Sequence, residues 1–262
     1  MSNTITSLSN PLIKQVRKLR QRKERAESGL FLVEGIHHVG AVIEAGWPVQ
    51  IVLYDPERLV SDFGRDLVNR LEQRQIRIQA LSTKVMESIA EKDHPSGLLA
   101  VVAQRRLSLA DLVPHQIRYA VALVAPQDPG NVGAILRTMD AVGASALFLL
   151  NGGVDPYHPS LVRASMGALF WIPTVSASFE EFVAWARRHQ LSLIGASPHA
   201  PLSYRAYRPP KRWGLLFGSE QKGLSPDQVE ACDQTISLPM RGRLDSLNLA
   251  VAVGVLLYTW LG

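Results

Sequence analysis

The sequence has a single cysteine, Cys232, among its 262 residues. One cysteine excludes an intramolecular disulfide and is typical of a protein in the reducing cytosol. It also leaves no cysteine pair for a zinc site, and the adjacent His37 and His38 lack the i, i+4 spacing with which a helix presents two ligands. We therefore expect a cytoplasmic protein without a metal centre.

Long hydrophobic runs are missing as well. The longest, LNLAVAVGVLLYTWLG at 247–262, has 16 residues and includes Asn248, whereas about 20 apolar residues are needed to cross a bilayer. The first ten residues lack the basic and then apolar pattern of a secretion signal. Because the run has no polar face, it predicts a helix buried in a core or against another subunit, and we expect no membrane association.

The common cofactor and hydrolase motifs are absent. No G-x-G-x-x-G, G-x-x-x-x-G-K-[ST] or G-x-S-x-G pattern occurs in the chain, which removes the main support for a dinucleotide-binding enzyme, a P-loop enzyme or a serine hydrolase. A small-molecule nucleotide-binding enzyme of another type stays open, but the basic N-terminal segment disfavours it.

Positive charge, in contrast, is abundant near the N-terminus. The chain carries a net charge of +5, and seven basic residues face only Glu24 between residues 14 and 25. A polyanion is the natural partner of such a segment, although a merely solvated helix face would look the same. The candidate RNA-binding residues are Lys14, Arg17, Lys18, Arg20, Arg22, Lys23 and Arg25.

Hydrophobic periodicity predicts two α/β domains. Strand-like and helical segments alternate over residues 1–106, residues 107–118 form a linker, and a second alternation fills residues 119–262. The basic segment 10–28 is predicted as one helix. In the second domain, strands separated by helices predict a parallel sheet that is covered on both faces.

Three strand ends of the second domain carry small residues together with polar side chains. They are PQDPGNVGAILRT at 126–138, LLFGSEQKGLS at 215–225 and SLPMRGRLDSLNLAVA at 237–252. Ligands gather at such ends because main-chain N–H groups and helix N-termini point outward there. Asn131, Arg137, Glu220, Ser246 and Asn248 are the candidate catalytic residues, although Asn131 and Ser246 could instead be ordinary N-caps.

The three segments, in this order and spacing, resemble the SpoU/TrmH family of the SPOUT superfamily, the knotted RNA methyltransferases. The first matches from Asp128 to Thr138, the second at 218–220 and 223–225, and the third at 238–242 and 246–248, while VRASMGALF at 162–170 is similar to the family's intervening region. The resemblance covers about residues 119–262. The opening segment NPLIKQVRKLRQRKERAESGLFLVEG, at 10–35, resembles less sharply the ribosomal-protein-like RNA-binding domain of many members.

The resemblance implies a parallel-sheet α/β domain with a deep trefoil knot, preceded by a smaller α/β RNA-binding domain. It implies methyl transfer from S-adenosylmethionine to a ribose 2′-hydroxyl of structured RNA, with ribosomal RNA favoured over transfer RNA. It further implies a homodimer through the motif-one helix and the C-terminal helix. Arg137 is expected to act on the 2′-hydroxyl, and Glu220 to hold Asn131 or Arg137 in place. The implied cofactor-binding residues are Leu216, Phe217, Gly218, Glu220, Ile236, Leu238, Met240 and Leu247.

One position departs from the family pattern. Gln221 stands where the family has glycine after the motif-two glutamate. If this position requires a positive φ, glutamine is strained there and the cofactor loop is altered. The alternative function is therefore a catalytically impaired RNA-binding or ribosome-assembly protein that retains the fold.

Overall fold

A computed structural model describes residues 4–91 and 95–262. The chain forms two compact units. The N-terminal unit comprises Met1–Arg105 together with Tyr157–Phe170, and the C-terminal unit comprises Arg106–Pro156 together with Trp171–Gly262. The segment 157–170, which sequence analysis assigned to the second domain, therefore folds with the first unit.

Helices and strands alternate along the described chain. As far as Ala103 they are α1 (Pro11–Lys18), α2 (Arg22–Ser28), β1 (Leu30–Glu34), α3 (Ile36–Glu44), β2 (Val49–Tyr54), α4 (Asp62–Gln73), β3 (Ile78–Ala80), α5 (Thr83–Ile89) and β4 (Leu98–Ala103). Then follow β5 (Tyr119–Val124), α6 (Pro129–Val142), β6 (Ala146–Leu150), α7 (Pro159–Ala164), β7 (Thr174–Ala177), α8 (Phe179–Arg188), β8 (Ser192–Ala196), β9 (Trp213–Phe217), α9 (Pro226–Glu230), β10 (Gln234–Ile236) and α10 (Leu249–Leu261). Short 3-10 turns occupy Leu109–Asp111, Pro114–Gln116 and Ala168–Phe170.

The N-terminal unit contains a mixed four-stranded sheet in the order β1-β4-β2-β3. β4 runs antiparallel to both of its neighbours, and only β2 and β3 are parallel. For this unit the sequence predicted an α/β domain but no strand direction. Alternation of strands and helices does not fix a strand's direction, because a helix can deliver the next strand to the sheet from either end.

The basic segment 10–28 forms two helices rather than the one that was predicted. Tight turns interrupt it, since Leu19 N donates to Val16 O and Arg20 N donates to Arg17 O. Leu19 is buried at this bend, and its burial favours the change of direction over a continuous helix. Gly29, with φ of 68°, then ends α2 in the left-handed conformation that glycine adopts without strain.

The C-terminal unit contains a six-stranded sheet in the order β10-β8-β9-β5-β6-β7, and all of its strand pairs are parallel. The predicted parallel sheet is confirmed here. Its core includes the aromatic side chains of Phe148, Phe182 and Trp185. β5 pairs with β6 on one side and with β9 on the other, so the chain leaves the centre of the sheet in two directions, and such a switch point is where open α/β sheets bind ligands.

Helix caps follow the sequence signals in α8 and α9. Ser178 with Glu181, and Ser225 with Gln228, form the reciprocal capping boxes that their spacing predicted. α10 is the apolar C-terminal helix. Among residues 4–91 and 95–262, no helix is both long and apolar enough to span a bilayer.

Candidate active site at the carboxyl edge of the parallel sheet

The three motif segments follow β5, β9 and β10 at the carboxyl edge of the six-stranded sheet. β5 and β9 are neighbours in register, with Leu123 opposite Phe217. The segments after these two strands therefore begin side by side at the switch point. The third segment starts two strands away from β9, after β10, and it includes Asn248, the N-cap of α10.

A carboxylate joins the first two segments. Gln127 N donates to both oxygens of Glu220, at 3.2 and 3.4 Å. We predicted from the sequence that Glu220 would hold Asn131 or Arg137. The structure instead shows Glu220 binding the main chain just before α6, because the turns after β5 and β9 start next to each other in the sheet.

The turn after β5 is built from an unusual backbone. Ala125 has φ of 45°, a left-handed conformation that is uncommon for a residue with a side chain. The Gln127 side chain donates to Ala125 O at 2.7 Å, which fixes the turn. Strain of this kind is concentrated at functional sites.

Gly153, which sequence analysis missed, supports the same turn from the loop after β6. A Cβ atom at Gly153 would lie 2.3 Å from Pro126 O, and its φ is 91°. Val154 N donates to Pro126 O at 2.9 Å. The signal in the sequence was the Gly152-Gly153 pair directly behind a predicted strand, which marks a close backbone approach.

An amide pair joins the first and third segments. The Asn248 amide donates from Nδ2 to Asn131 Oδ1 at 3.0 Å. Asn248 Oδ1 also caps α10 by accepting from Ala250 N at 2.9 Å and Val251 N at 3.3 Å. One residue thus fixes the start of α10 to the first turn of α6.

The structure corrects two proposed N-caps. α6 begins at Pro129 and its N-cap is Asp128, whose Oδ1 accepts from Gly130 N at 2.7 Å, so Asn131 lies inside the helix. α10 is capped by Asn248 rather than by Ser246. The Asn131 side chain, which does not cap its helix, is available for the bond to Asn248.

Arg137 lies in the third turn of α6, about 9 Å along the axis from Asn131. Its side chain is exposed. Within the described residues, the guanidinium has no hydrogen bond, ion pair or aromatic contact. The Arg137 guanidinium is therefore open to solvent, where its planar fork can form two hydrogen bonds with a carboxylate or phosphate.

The third segment is the most open part of the site. Residues 241–248 are all exposed, with Leu244 at 74% and Leu247 at 42%. Among the described residues, the one hydrogen bond of Ser246 Oγ is to Asp245 Oδ1, at 3.4 Å. Sequence analysis grouped Ser246 with Asn131 and Arg137, but no direct bond in the described chain joins it to either.

The proposed cofactor residues line neighbouring strand ends. Leu216, Phe217 and Ile236 are buried, Leu238 and Met240 are half-buried, and Leu247 is exposed. Gly218 begins a very tight turn, because a Cβ atom there would lie 1.9 Å from the carbonyl carbon of Gly223. Only glycine permits this approach.

Gln221 does not have the positive φ that would strain it. Gly223 takes the left-handed conformation in this turn, with φ of 65°, while Gln221 is absent from the residues with positive φ. Its side chain is exposed. The departure from the family pattern therefore leaves the backbone of the turn unstrained.

Cys232 is a structural thiol. Burial, and then the charge of Asp233, raise its pKa from 9.0 to about 11. Its Sγ donates to Gln228 O at 3.1 Å. Since the thiolate is the reactive form, this cysteine is inert at neutral pH.

The basic residues of the N-terminal unit fall into two groups. Arg25 is 1% exposed and donates to Leu19 O at 2.9 Å and Arg20 O at 2.7 Å. The sequence suggested Arg25 as an RNA-binding residue. Its burial contradicts that role, because the guanidinium instead holds the bend between α1 and α2. The exposed members are Lys14, Lys18, Arg20, Arg22 and Lys23, and Arg17 is half-buried.

Taken together, the fold and the three linked segments define an α/β protein whose ligand site lies at the switch point of a parallel sheet. The model of the SpoU rRNA Methylase family matches residues 118–258, and that of the MRM3-like substrate binding domain matches residues 10–100. The chain belongs to the SpoU rRNA methylase family. The predicted family is thereby confirmed, as is an α/β fold with an N-terminal substrate-binding domain.

Individual relatives agree with this assignment. The chain is 33% identical to the 23S rRNA (uridine(2479)-2′-O)-methyltransferase of Streptomyces viridochromogenes, over 92% of this chain and 85% of that protein. It is 28% identical to the 23S rRNA (guanosine(2553)-2′-O)-methyltransferase RlmP of Bacillus subtilis strain 168, over 97% of each. The structure of an AdoMet-bound rRNA methyltransferase from Sinorhizobium meliloti matches with a TM-score of 0.89 at 33% identity, over 98% of this chain and 96% of that one.

Proposed function

We propose that the protein transfers the methyl group of S-adenosylmethionine to a ribose 2′-hydroxyl of ribosomal RNA. The observation that carries this proposal is the site itself, in which Glu220 and Asn248 fix two loops to the start of α6 and Arg137 is left unpartnered. The relatives named as 23S rRNA 2′-O-methyltransferases support the substrate class. A ribosomal substrate also places the enzyme in the cytoplasm.

The strand ends fit the cofactor. The side chains of Leu216, Phe217 and Ile236 are buried, so these residues would meet the cofactor mainly through their main chains. The more accessible side chains of Leu238, Met240 and Leu247 are available to adenine, and the turn from Gly218 to Glu220 offers main-chain groups for the polar parts. S-adenosylmethionine, when bound, supplies the methyl group on a sulfonium leaving group. The AdoMet complex of a relative from Streptomyces viridochromogenes, 32% identical with a TM-score of 0.84 over 95% of this chain and 96% of that one, supports this role.

We assign Arg137 to the ribose. In methyl transfer a bond forms from the 2′-oxygen to the methyl carbon while the sulfur–methyl bond breaks, and the hydroxyl proton passes to solvent water. A guanidinium is a poor base, because it stays protonated throughout the physiological pH range. It can instead grip the adjacent phosphate with two hydrogen bonds and stabilise the negative charge that develops on the oxygen.

The remaining catalytic residues are positioning residues in this proposal. Glu220 holds the turn in front of α6 through Gln127 N, and Asn131 with Asn248 ties α6 to the third segment. Ser246, which is exposed two residues before Asn248, is positioned to contact cofactor or RNA. Alignment of two reactants can supply several kcal/mol of rate acceleration, about 7–11 in the best cases.

We propose that residues 1–106 bind the RNA substrate and that residues 119–262 carry catalysis, joined by a linker at 107–118. The exposed cations of α1 and α2 are the expected contacts, now without Arg25. The match to a substrate-binding domain at residues 10–100 supports this division.

We propose a homodimer formed through α6 and α10. Leu249, Val253, Leu256 and Leu257 bury one side of α10, but Val251 and Tyr258 are 51% and 56% exposed on the other. An apolar helix with an exposed face requires a partner to cover it. Light scattering should give twice the chain mass of 28.9 kDa, and Val251→Glu should shift the protein to the monomer. A monomeric wild-type protein would contradict the dimer.

We also propose the trefoil knot. The connection between β8 and β9 forms hydrogen bonds with two successive residues at the end of β10. Ser197 N donates to Ile236 O. Ser237, whose main-chain groups point to the opposite side of the strand, donates from N to Leu202 O and accepts at O from Tyr204 N. A connection that surrounds a later strand is what a threaded C-terminus requires. A crystallographic chain trace that passes outside this connection would contradict the knot.

The alternative of a catalytically impaired RNA-binding protein is not favoured, because the backbone at Gln221 is unstrained. The decisive experiment uses methyl-labelled S-adenosylmethionine with deproteinised 23S rRNA and, in a parallel arm, transfer RNA. We expect label in the ribosomal RNA and heat of cofactor binding by calorimetry. A folded protein that neither binds the cofactor nor labels either RNA would refute the function.

A further inference from the structure

The connection between β8 and β9, residues 197–212, lies in a stretch with charge of one sign. Residues 189–219 contain four arginine or lysine side chains and no aspartate or glutamate. The rest of the C-terminal unit carries eight basic and eleven acidic side chains, a net charge of −3. Such a stretch is a candidate for binding a polyanion.

Three cations of this connection are directed to solvent. Arg205, Arg208 and Lys211 are exposed. Among the described residues, none of the three forms an ion pair, and Arg208 and Lys211 form no hydrogen bond either. We call these three side chains the connection cations. The fold does not use their charge.

The connection is fixed at its first end, next to the proposed cofactor site. Tyr204 N donates to Ser237 O at 2.9 Å, and Ser237 N donates to Leu202 O at 2.8 Å. Ser237 is the first residue of the third motif segment and directly precedes Leu238, one of the proposed cofactor-binding residues. The Tyr204-Arg205 pair therefore lies beside the loop that reaches the site.

The other end is fixed equally well. The Arg212 guanidinium donates to Pro114 O at 2.6 Å, to His189 O at 2.8 Å and to Ile117 O at 3.2 and 3.3 Å. Tyr207 packs against Trp260 with ring centroids 6.1 Å apart. The connection cations are thus displayed on a backbone held on both sides of them, which lowers the entropy lost when they bind a ligand.

An aromatic ring accompanies the first of these cations. The Arg205 guanidinium carbon lies 5.6 Å from the centre of the Tyr204 ring, and Arg205 Nε donates to Tyr204 Oη at 3.1 Å. Flat cationic and aromatic groups are the surfaces on which unpaired RNA bases stack. This feature favours RNA over an acidic protein as the ligand.

We propose that the connection cations, together with Tyr204, form a second RNA-binding surface, on the C-terminal unit. The surface binds phosphates of the substrate strand, and its Tyr204-Arg205 end takes nucleotides close to the one that is methylated. This inference rests on the proposed function, since it takes RNA as the substrate. It adds a contact surface that is separate from the basic helices α1 and α2.

The test compares two variants that each remove two exposed positive charges from the same unit. Arg205→Gln with Arg208→Gln alters the surface, and Arg187→Gln with Arg188→Gln at the end of α8 is the matched control. Binding of deproteinised 23S rRNA is measured over a salt series. Because each lost phosphate contact lowers the salt slope by about one, we expect the first variant to bind about tenfold more weakly with a slope reduced by 1–2.

The control variant should keep the wild-type affinity and slope to within about twofold. Calorimetry with S-adenosylmethionine should give the wild-type affinity for both variants, which shows that the fold and the cofactor site are intact. Equal RNA binding by the two variants would overturn the inference while leaving the proposed function standing. If the wild-type protein itself bound no RNA at low salt, the proposed function would fail first.

Discussion

The basic helices of the N-terminal unit and the carboxyl edge of the C-terminal sheet use their polar side chains differently. In the helices, Arg25 is buried against main-chain carbonyls, Arg20 donates to Ala90 O, and Arg17 Nη2 donates to Ser88 Oγ at 3.0 Å. At the sheet edge, Glu220 and Asn248 serve the fold, but Arg137 is exposed and unpartnered within the described chain. Density of charge in a sequence therefore overstates binding capacity, because the fold itself uses part of that charge.

The largest effect should come from Arg137. Arg137→Ala should lower the methyl-transfer rate by 100- to 1,000-fold, in line with the loss of about 3–4 kcal/mol when one stabilising donor is removed from a developing oxyanion. The melting temperature and the affinity for S-adenosylmethionine should change little, because no internal contact is lost. The rate is measured with methyl-labelled cofactor at saturating RNA.

Arg137→Lys is the control for charge. It keeps a cation but loses the two-pronged geometry, so it should recover only part of the rate. Wild-type turnover by Arg137→Ala would show that the unpartnered cation at the sheet edge has no role in catalysis.

The opposite outcome is expected for Arg25. Arg25→Met keeps the length of the buried side chain but removes the bonds to Leu19 O and Arg20 O, which leaves buried acceptors unpaired at about 1–3 kcal/mol each. We expect the free energy of unfolding to fall by about 3 kcal/mol. Denaturant unfolding measures this change.

The exposed Lys14→Gln variant is the matched charge control for Arg25. It should leave stability unchanged and lower the RNA salt slope by up to about one. If Arg25→Met kept wild-type stability but lost RNA affinity, Arg25 would be an RNA-binding residue after all, and its structural role would be refuted.

The sequence predicted the two α/β units, the parallel sheet of the second unit and the family, because these depend on local periodicity and on ordered motifs. It did not predict the antiparallel β4, the break at Leu19 or the burial of Arg25. Those features depend on which segments meet in space. Within the site, the partners of the motif residues were misassigned. Glu220 binds Gln127 N instead of Asn131 or Arg137, and Asn131 bonds Asn248 instead of capping α6.

Glycine at position 218 tests how closely the second segment is tied to the fold. A Cβ atom there would lie 1.9 Å from both the carbonyl carbon and the oxygen of Gly223. Gly218→Ala should therefore displace the turn, lower the affinity for S-adenosylmethionine and reduce stability by about 1–3 kcal/mol, as overpacking does. Isothermal calorimetry and thermal unfolding measure the two effects.

Gly242→Ala in the third segment is the matched comparison, because a Cβ atom at that position has no neighbour within 4 Å. It should leave stability and cofactor affinity close to wild type. Equal behaviour of the two alanine variants would mean that the turn after β9 is free to adjust and that its tight geometry is not needed for the cofactor.

The smallest effect separates the two tasks of Asn248, which caps α10 and also bonds Asn131. Asn248→Ser keeps a good N-cap but is too short to reach Asn131, whereas Asn248→Ala loses both contacts. We expect the serine variant to lose about 0.5–1 kcal/mol of stability and the alanine variant about 1 kcal/mol more. Because the amide bond ties the third segment to α6, the serine variant should also slow methyl transfer, and adding Asn131→Ala to it should cause little further loss. If the two substitutions instead gave additive losses of methyl-transfer rate, Asn131 and Asn248 would act separately. The hydrogen bond between them would then be a structural contact unrelated to catalysis, like those of the buried arginine in the basic helices.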